Sequence, residues 1–321
     1  MIKLNWKRLG LAAGLSLSLL AAGCGDNENA NENNANLNDG NNENGNEENT
    51  GNADTGANVG EGKEIELVYV EWDSEIASTH VIGKVFEDQG YDVTLTPIDN
   101  AIMWQSVANG ETDGMVAAWL PATHGDLYDE YSDQLVDLGE NLEGAKIGLV
   151  VPEYMDATTI DDLADFADEM GSSITGIEPG AGVVQAAENA TEEYEGLAGW
   201  DVQTSSSGAM ATALGEAISN EEPIAVTGWT PHWKFASYDL KYLEDPEGTF
   251  GDAEVIKTMV REGLEDDMPN AYTILDQFNW TADDMEEVML DMEDGTSPED
   301  AAAAWVEANE DAVAEWIEGL E

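Results

Sequence analysis

Cysteine occurs once in the 321 residues, at Cys24, so no disulfide can close within the chain and an apolar core must hold the fold. Positive charge is nearly as scarce, with 10 Lys and Arg against 69 Asp and Glu, a formal charge of −59. Such a surface repels phosphate backbones and anionic headgroups, which excludes nucleic acid and acidic lipid surfaces as partners. Beyond the first two dozen residues no apolar run is long enough to cross a bilayer, and no segment repeats at a fixed period. Gly-x-Ser-x-Gly and His-Glu-x-x-His are both missing. Three histidines and one cysteine make a poor metal-ligand set, so no metal and no cofactor is expected. An acid–base pair among so many carboxylates stays open, and with it an extracellular enzyme acting on small solutes.

What the N-terminus does contain is a secretory signal over residues 1–23: Lys3, Lys7 and Arg8, then an apolar run from Leu9 to Ala22. It ends Leu20-Ala21-Ala22-Gly23-Cys24, which resembles a bacterial lipobox. The resemblance implies cleavage before Cys24 and a lipid on its sulfur, hence an extracytoplasmic protein anchored to the cell membrane. Residues 24–62 are rich in Asn, Glu, Gly and Asp, too polar to offset their ordering entropy, and read as a flexible tether. An acidic excess of this size repels itself unless salt screens it, and at molar salt the Debye length is about 3 Å. The composition therefore points to a protein working in brine.

Strand and helix patterns alternate after the tether. Strands are expected at Ile65 to Val70, Val93 to Thr96, Gly114 to Ala118, Lys146 to Val151, Ile174 to Ile177 and Pro223 to Thr227. Helices are expected after Asp73, Asp99, Thr159, Gly182 and Ser207, each opening on a residue able to cap or bend the chain. From Ala253 onward the pattern reads as wholly helical: Ala253 to Leu264, Ala271 to Phe278, Thr281 to Met292, and a last helix whose cap and first residue are Ser297-Pro298.

Three tryptophans stand apart from the other seven. Trp72, Trp119 and Trp229 each fall just past an expected strand beside turn-forming residues, where open parallel sheets gather ligands. Trp104, Trp200, Trp280, Trp305 and Trp316 sit in or beside helical patterns and read as packing. His80 and His232 are likewise assigned structural roles. Ring faces bind a cation that has no N–H to donate, and N–H donors bind a carboxylate, so the stretch from Ala118 to His124 offers one partner of each kind.

Four motifs together resemble the glycine betaine-binding proteins of ABC importers: Glu71-Trp72-Asp73-Ser74-Glu75-Ile76-Ala77-Ser78-Thr79, Ala118-Trp119-Leu120-Pro121 through His124, Glu178-Pro179-Gly180-Ala181-Gly182, and Gly228-Trp229-Thr230-Pro231-His232-Trp233. The resemblance covers nearly all of the chain from Ile65 on. It implies a two-lobed α/β periplasmic-binding-protein fold, each lobe a mostly parallel sheet flanked by helices, with the ligand in the cleft. One lobe would comprise residues 63–148 and 246–321, the other 149–245. It further implies an aromatic cage of Trp72, Trp119 and Trp229 around a trimethylammonium group. His124 and the backbone N–H groups of Gly182 and Val183 would hold the carboxylate. The partners implied are glycine betaine or a close betaine, and the permease and ATPase subunits of an importer. Proline betaine, carnitine and choline are the alternative ligands, choline being disfavoured because it lacks a carboxylate.

Overall fold

The computed structural model describes residues 58–321. The signal at residues 1–23, Cys24 and the tether as far as residue 57 lie outside the described residues.

The order of elements is β1 (Glu64–Tyr69), a helix Asp73–Asp88, β2 (Asp92–Pro97), a helix Asn100–Ala108, β3 (Gly114–Leu120) and β4 (Leu135–Pro152). There follow β5 (Ser173–Thr175), a helix Gly182–Glu193, β6 (Asp201–Gln203), a helix Ser207–Asn220, β7 (Val226–Thr230), β8 (Leu240–Tyr242) and β9 (Glu254–Arg261). Four helices between Pro269 and Trp316 finish the chain. The alternation of strand and helix through β7 is the α/β pattern expected, and among the parallel pairs β1–β2, β1–β3, β5–β6 and β5–β7, the β1–β2 and β5–β6 connections each carry a helix crossover.

Strand β4 joins two sheets. Its first part, through Ala145, pairs antiparallel with β9, which continues through β3 and β1 to β2. From Lys146 on it pairs with β7 and β8, and β7 continues through β5 to β6. The partner changes between Ala145 and Lys146, so a single 18-residue strand runs from one sheet into the other. The chain returns to the first sheet between β8 and β9. Two α/β lobes thus meet along a cleft, and the chain passes from one to the other within β4 and again between β8 and β9.

Two expectations need correction here. Ala253 to Leu264 is not a helix but β9, buried between β3 and β4. Val255, Ile256, Thr258 and Val260 are β-branched, and the alternating burial of Glu254, Ile256 and Thr258 against Val255 and Lys257 is strand spacing that overrides the helical reading. Likewise Trp119 and Trp229 do not follow their strands but lie inside β3 and β7, near the ends, while Trp72 does follow β1 and forms the N-cap of Asp73–Asp88. Both strands run straight into a cis X–Pro bond, Leu120–Pro121 and Thr230–Pro231.

The C-terminal helices begin as their caps require. The side chains of Thr281 and Ser297 accept from Asp284 and Asp300 N–H, and Pro298 opens the helix Pro298–Ala308. That last helix breaks at Asn309 and resumes as Glu310–Trp316. Trp305 and Trp316 stack 5.7 Å apart, with Trp280 edge-on to Trp305 and Phe278 edge-on to Trp316, which is the packing role expected of those tryptophans. Among the described residues no helix is long and apolar enough to cross a membrane.

Candidate functional site

Where the two sheets face one another, Trp72, Trp119, Thr123, Ile147, Ile177, Ala181, Gly182, Val183 and Trp229 line a narrow void of about 20 Å³. Five of the six residues singled out in the sequence line it. His124 is the sixth; it stays one ring behind, stacked on Trp72 at 5.7 Å and edge-on to Trp104 at 5.8 Å. Trp104 is therefore packing, but packing against a site residue.

The walls come from both lobes. Trp72 and Trp119 belong to the first sheet's side. Trp229 on β7, and Gly182 and Val183 at the start of their helix, belong to the second. As the first residues of Gly182–Glu193, Gly182 and Val183 have backbone N–H groups with no acceptor inside the helix. Gly182 and Val183 line the same void as the three indole rings.

Each ring is held by its N–H. The Trp119 indole donates to Glu75 at 2.6 Å, the Trp229 indole to the Ser74 hydroxyl at 3.2 Å, and the Trp72 indole to the Glu178 carboxylate. The neighbouring Asp73 accepts from the Trp233 indole at 3.0 Å and from the Ser207 hydroxyl. Three consecutive side chains in the first turn of Asp73–Asp88 thus anchor three tryptophans. The sequence suggested Asp73 as a helix cap; instead Trp72 is the N-cap with no side-chain capping bond, and the polar first turn serves the indoles.

The turn Pro121 to His124 is fixed from β9. Glu254, buried, accepts from the backbone N–H of Ala122 at 2.7 Å and of Thr123 at 2.8 Å, and from the Thr123 hydroxyl. Misreading β9 as a helix hid this residue. Across the cleft, Gly182 presses on the turn: a Cβ there would lie 2.3 Å from the Thr123 carbonyl oxygen. Gly180, at φ +91°, makes the bend that brings the helix start so close.

Burial sets the protonation states. His124 is 1% exposed; burial pushes its imidazole down to about 3, so the ring is neutral at pH 7. Its Nδ1 accepts from the Trp119 backbone N–H at 3.1 Å, which places the ring proton on Nε2, a buried donor without an acceptor among the described residues. Burial likewise pushes the Glu75 carboxyl up to about 7, against the opposing hydrogen bond from Trp119. Asp73 is raised by burial but held well below the usual carboxylate range by the hydrogen bond and charge of His232 and by Ser207 and Trp233. Burial, and then Lys234, lowers His232 to about 4; its Nδ1 accepts from the Lys234 backbone N–H and its Nε2 lies 3.6 Å from Asp73. Lys234 is fully buried with its Nζ 4.0 Å from the Trp229 ring centroid. His80 sits edge-on to Tyr69, and neither it nor His232 lines the void.

Such an enclosure suits one kind of guest. Ring faces attract a cation by about 0.5–2 kcal/mol each without needing a hydrogen bond, and free helix N–H groups with a neutral imidazole N–H suit a carboxylate. Nothing in it resembles a nucleophile paired with a base.

A family model described as the substrate binding domain of ABC-type glycine betaine transport system (OpuAC) matches residues 63–308. The glycine betaine/carnitine transport binding protein GbuC of Listeria monocytogenes is 48% identical over 158 residues, 49% of this chain and 53% of that protein. The match thus spans about half the length of that curated relative. Among solved structures, lactococcal OpuAC in its closed-liganded conformation complexed with glycine betaine is 50% identical, with a TM-score of 0.77 over 80% of this chain and 100% of that one. An ABC-transporter choline binding protein in complex with choline is 26% identical, with a TM-score of 0.75 over 80% of this chain and 92% of that one.

Proposed function

The chain belongs to the family of substrate-binding domains of ABC-type glycine betaine transport systems, binding proteins rather than enzymes, and from that premise we propose that it captures glycine betaine outside the cytoplasm and delivers it to an importer. The observation that carries this reading is the single void lined by Trp72, Trp119 and Trp229 together with the helix start at Gly182 and Val183. The trimethylammonium group sits among the three ring faces. The carboxylate accepts from the Gly182 and Val183 N–H groups and from His124 Nε2, whose proton otherwise has no acceptor among the described residues.

The lobes of this reading are residues 63–148 with 246–321, and 149–245, with the crossing in β4 near Ala145 and Lys146. Ligand bridges them and favours closure, the state a permease with its cytoplasmic ATPase subunits distinguishes. A lipid on Cys24 and the tether over residues 24–62 keep the binding domain at the membrane surface. Accumulating a zwitterion balances external osmotic pressure without adding net charge, which fits the acidic composition and an osmoprotective role.

The test is calorimetric titration in molar salt with glycine betaine, proline betaine, carnitine and choline. The reading expects saturable binding of one glycine betaine, and weaker binding of choline because Gly182 and Val183 would lose their acceptor. Choline binding as tightly as glycine betaine would replace it with a choline-binding reading, and turnover of any of the four by NMR would make the protein an enzyme.

A further inference from the structure

The anchors of the three cage rings are arranged unequally across the cleft. Trp119 and its acceptor Glu75 lie on the same lobe, β3 beside the helix Asp73–Asp88. Trp72 lies on the first lobe, but its acceptor Glu178 lies on the second, just before the helix Gly182–Glu193. Trp229 lies on the second lobe, and its acceptor Ser74 on the first. Three further bonds cross with them, two of them at Asp73 of the first lobe, which accepts from Trp233 and Ser207 of the second. Asn100 of the first donates to the Gly180 carbonyl of the second at 3.2 Å.

A buried indole N–H needs an acceptor, and one that loses its partner lets the ring turn toward water or another group. Separating the lobes removes the acceptors of Trp72 and Trp229 and leaves that of Trp119 in place. From this we propose that Ser74 and Glu178 are positioning residues that complete the cage only on closure, while Glu75 holds Trp119 as the wall already oriented before it. Asp73 is the clasp beside them. The cation first meets the Trp119 face; closing then turns the other two rings onto it and ties each to the opposite lobe. The inference rests on the proposed ligand and lobe division, and it assigns these polar side chains to the order of events in binding.

Stopped-flow tryptophan fluorescence with glycine betaine separates association from dissociation, and small-angle scattering with and without saturating glycine betaine follows closure. Ser74→Ala and Glu178→Ala should raise the dissociation rate about tenfold each, the loss of a hydrogen bond to a buried or charged acceptor, with the association rate unchanged. Glu178→Gln, which keeps an acceptor oxygen for Trp72, should restore the parent dissociation rate within about twofold. Glu75→Gln should act on association instead. A merely structural role would lower thermal stability without this split. Parent-like dissociation in both Ser74→Ala and Glu178→Ala, in a parent chain that binds glycine betaine, overturns the positioning role and leaves the proposed function standing. Absence of binding in the parent chain overturns the functional reading itself.

Discussion

At the scale of single residues, the site depends on groups whose burial fixes their protonation. His124 stays neutral with its proton on Nε2, which leaves it a donor without charge. Replacing it by alanine should weaken glycine betaine binding by about tenfold or more, the worth of a hydrogen bond to a charged group, and leave affinity for a quaternary amine without a carboxylate unchanged. Titration with choline alongside glycine betaine checks this. His124 also has a folded pKa of about 3 against 6.5 for the free side chain, so between those values the unfolded chain binds more protons. Its contribution to stability is present above about pH 6.5 and lost as pH falls, at about 1.4 kcal/mol per pH unit. Glu75 has the opposite sign. Its carboxyl, raised from 4.5 to about 7, stays protonated longer in the folded state, and stability is lost as pH rises through that window. Between about pH 4.5 and 6.5 the melting temperature should therefore gain less, or lose more, with rising pH in His124→Gln than in the parent, and gain more in Glu75→Gln. Trp72, Trp119, Trp229 and His124 were visible in the sequence because indole and imidazole are rare and stood beside turn signals. Glu75 and Glu178 were not, since a carboxylate in a chain with 69 Asp and Glu carries no signal until its neighbour across the fold is known, and the Ser74 hydroxyl reads as a helix cap.

At the scale of elements, strands were legible where apolar residues alternate and failed where the chain is charged. β9 mixes Glu254, Lys257 and Arg261 with β-branched residues, and pairing on both edges, with β3 and β4, decides its conformation. The first part of β4, through Asn141 and Glu143, gave no apolar run for the same reason. Yet β9 supplies Glu254, which ties the Ala122 and Thr123 N–H groups. Glu254→Ala should leave those donors buried without an acceptor and cost about 1–3 kcal/mol of stability, measured by denaturant unfolding, together with weakened binding through the loosened turn. The helix start at Gly182 makes the complementary prediction. A methyl group at this position meets the Thr123 carbonyl at 2.3 Å, so Gly182→Ala should hinder closure and lower affinity while the isolated lobes remain folded. Scattering with saturating glycine betaine, compared with circular dichroism, separates the two effects.

At the scale of the whole molecule, charge rather than topology sets the remaining question. The ion pairs among the described residues engage Lys84, Lys257 and Arg261 with Asp88, Asp137, Asp113 and Asp267, besides the His232–Asp73 contact. The great surplus of carboxylates faces no cation. Their mutual repulsion opposes compaction until salt shortens its range. The melting temperature should rise steadily as potassium chloride increases from tens of millimolar to molar concentration; an unchanged or higher value in dilute buffer would separate the acidic surface from any need for brine. The two-lobed architecture could be inferred from four spaced motifs. What the motifs did not contain is the crossing pattern of hydrogen bonds between lobes, because that is a property of their contact and not of either sequence half.

The central claim is that an aromatic cage holds a quaternary ammonium zwitterion. Calorimetric titration of glycine betaine into the chain and into its Trp119→Ala variant, both in molar salt, tests it most directly. Removal of one desolvated ring should cost about 1–2 kcal/mol or more, so the parent should show saturable binding of one ligand and the variant at least about tenfold weaker binding. Equal affinity in the two would contradict the cage.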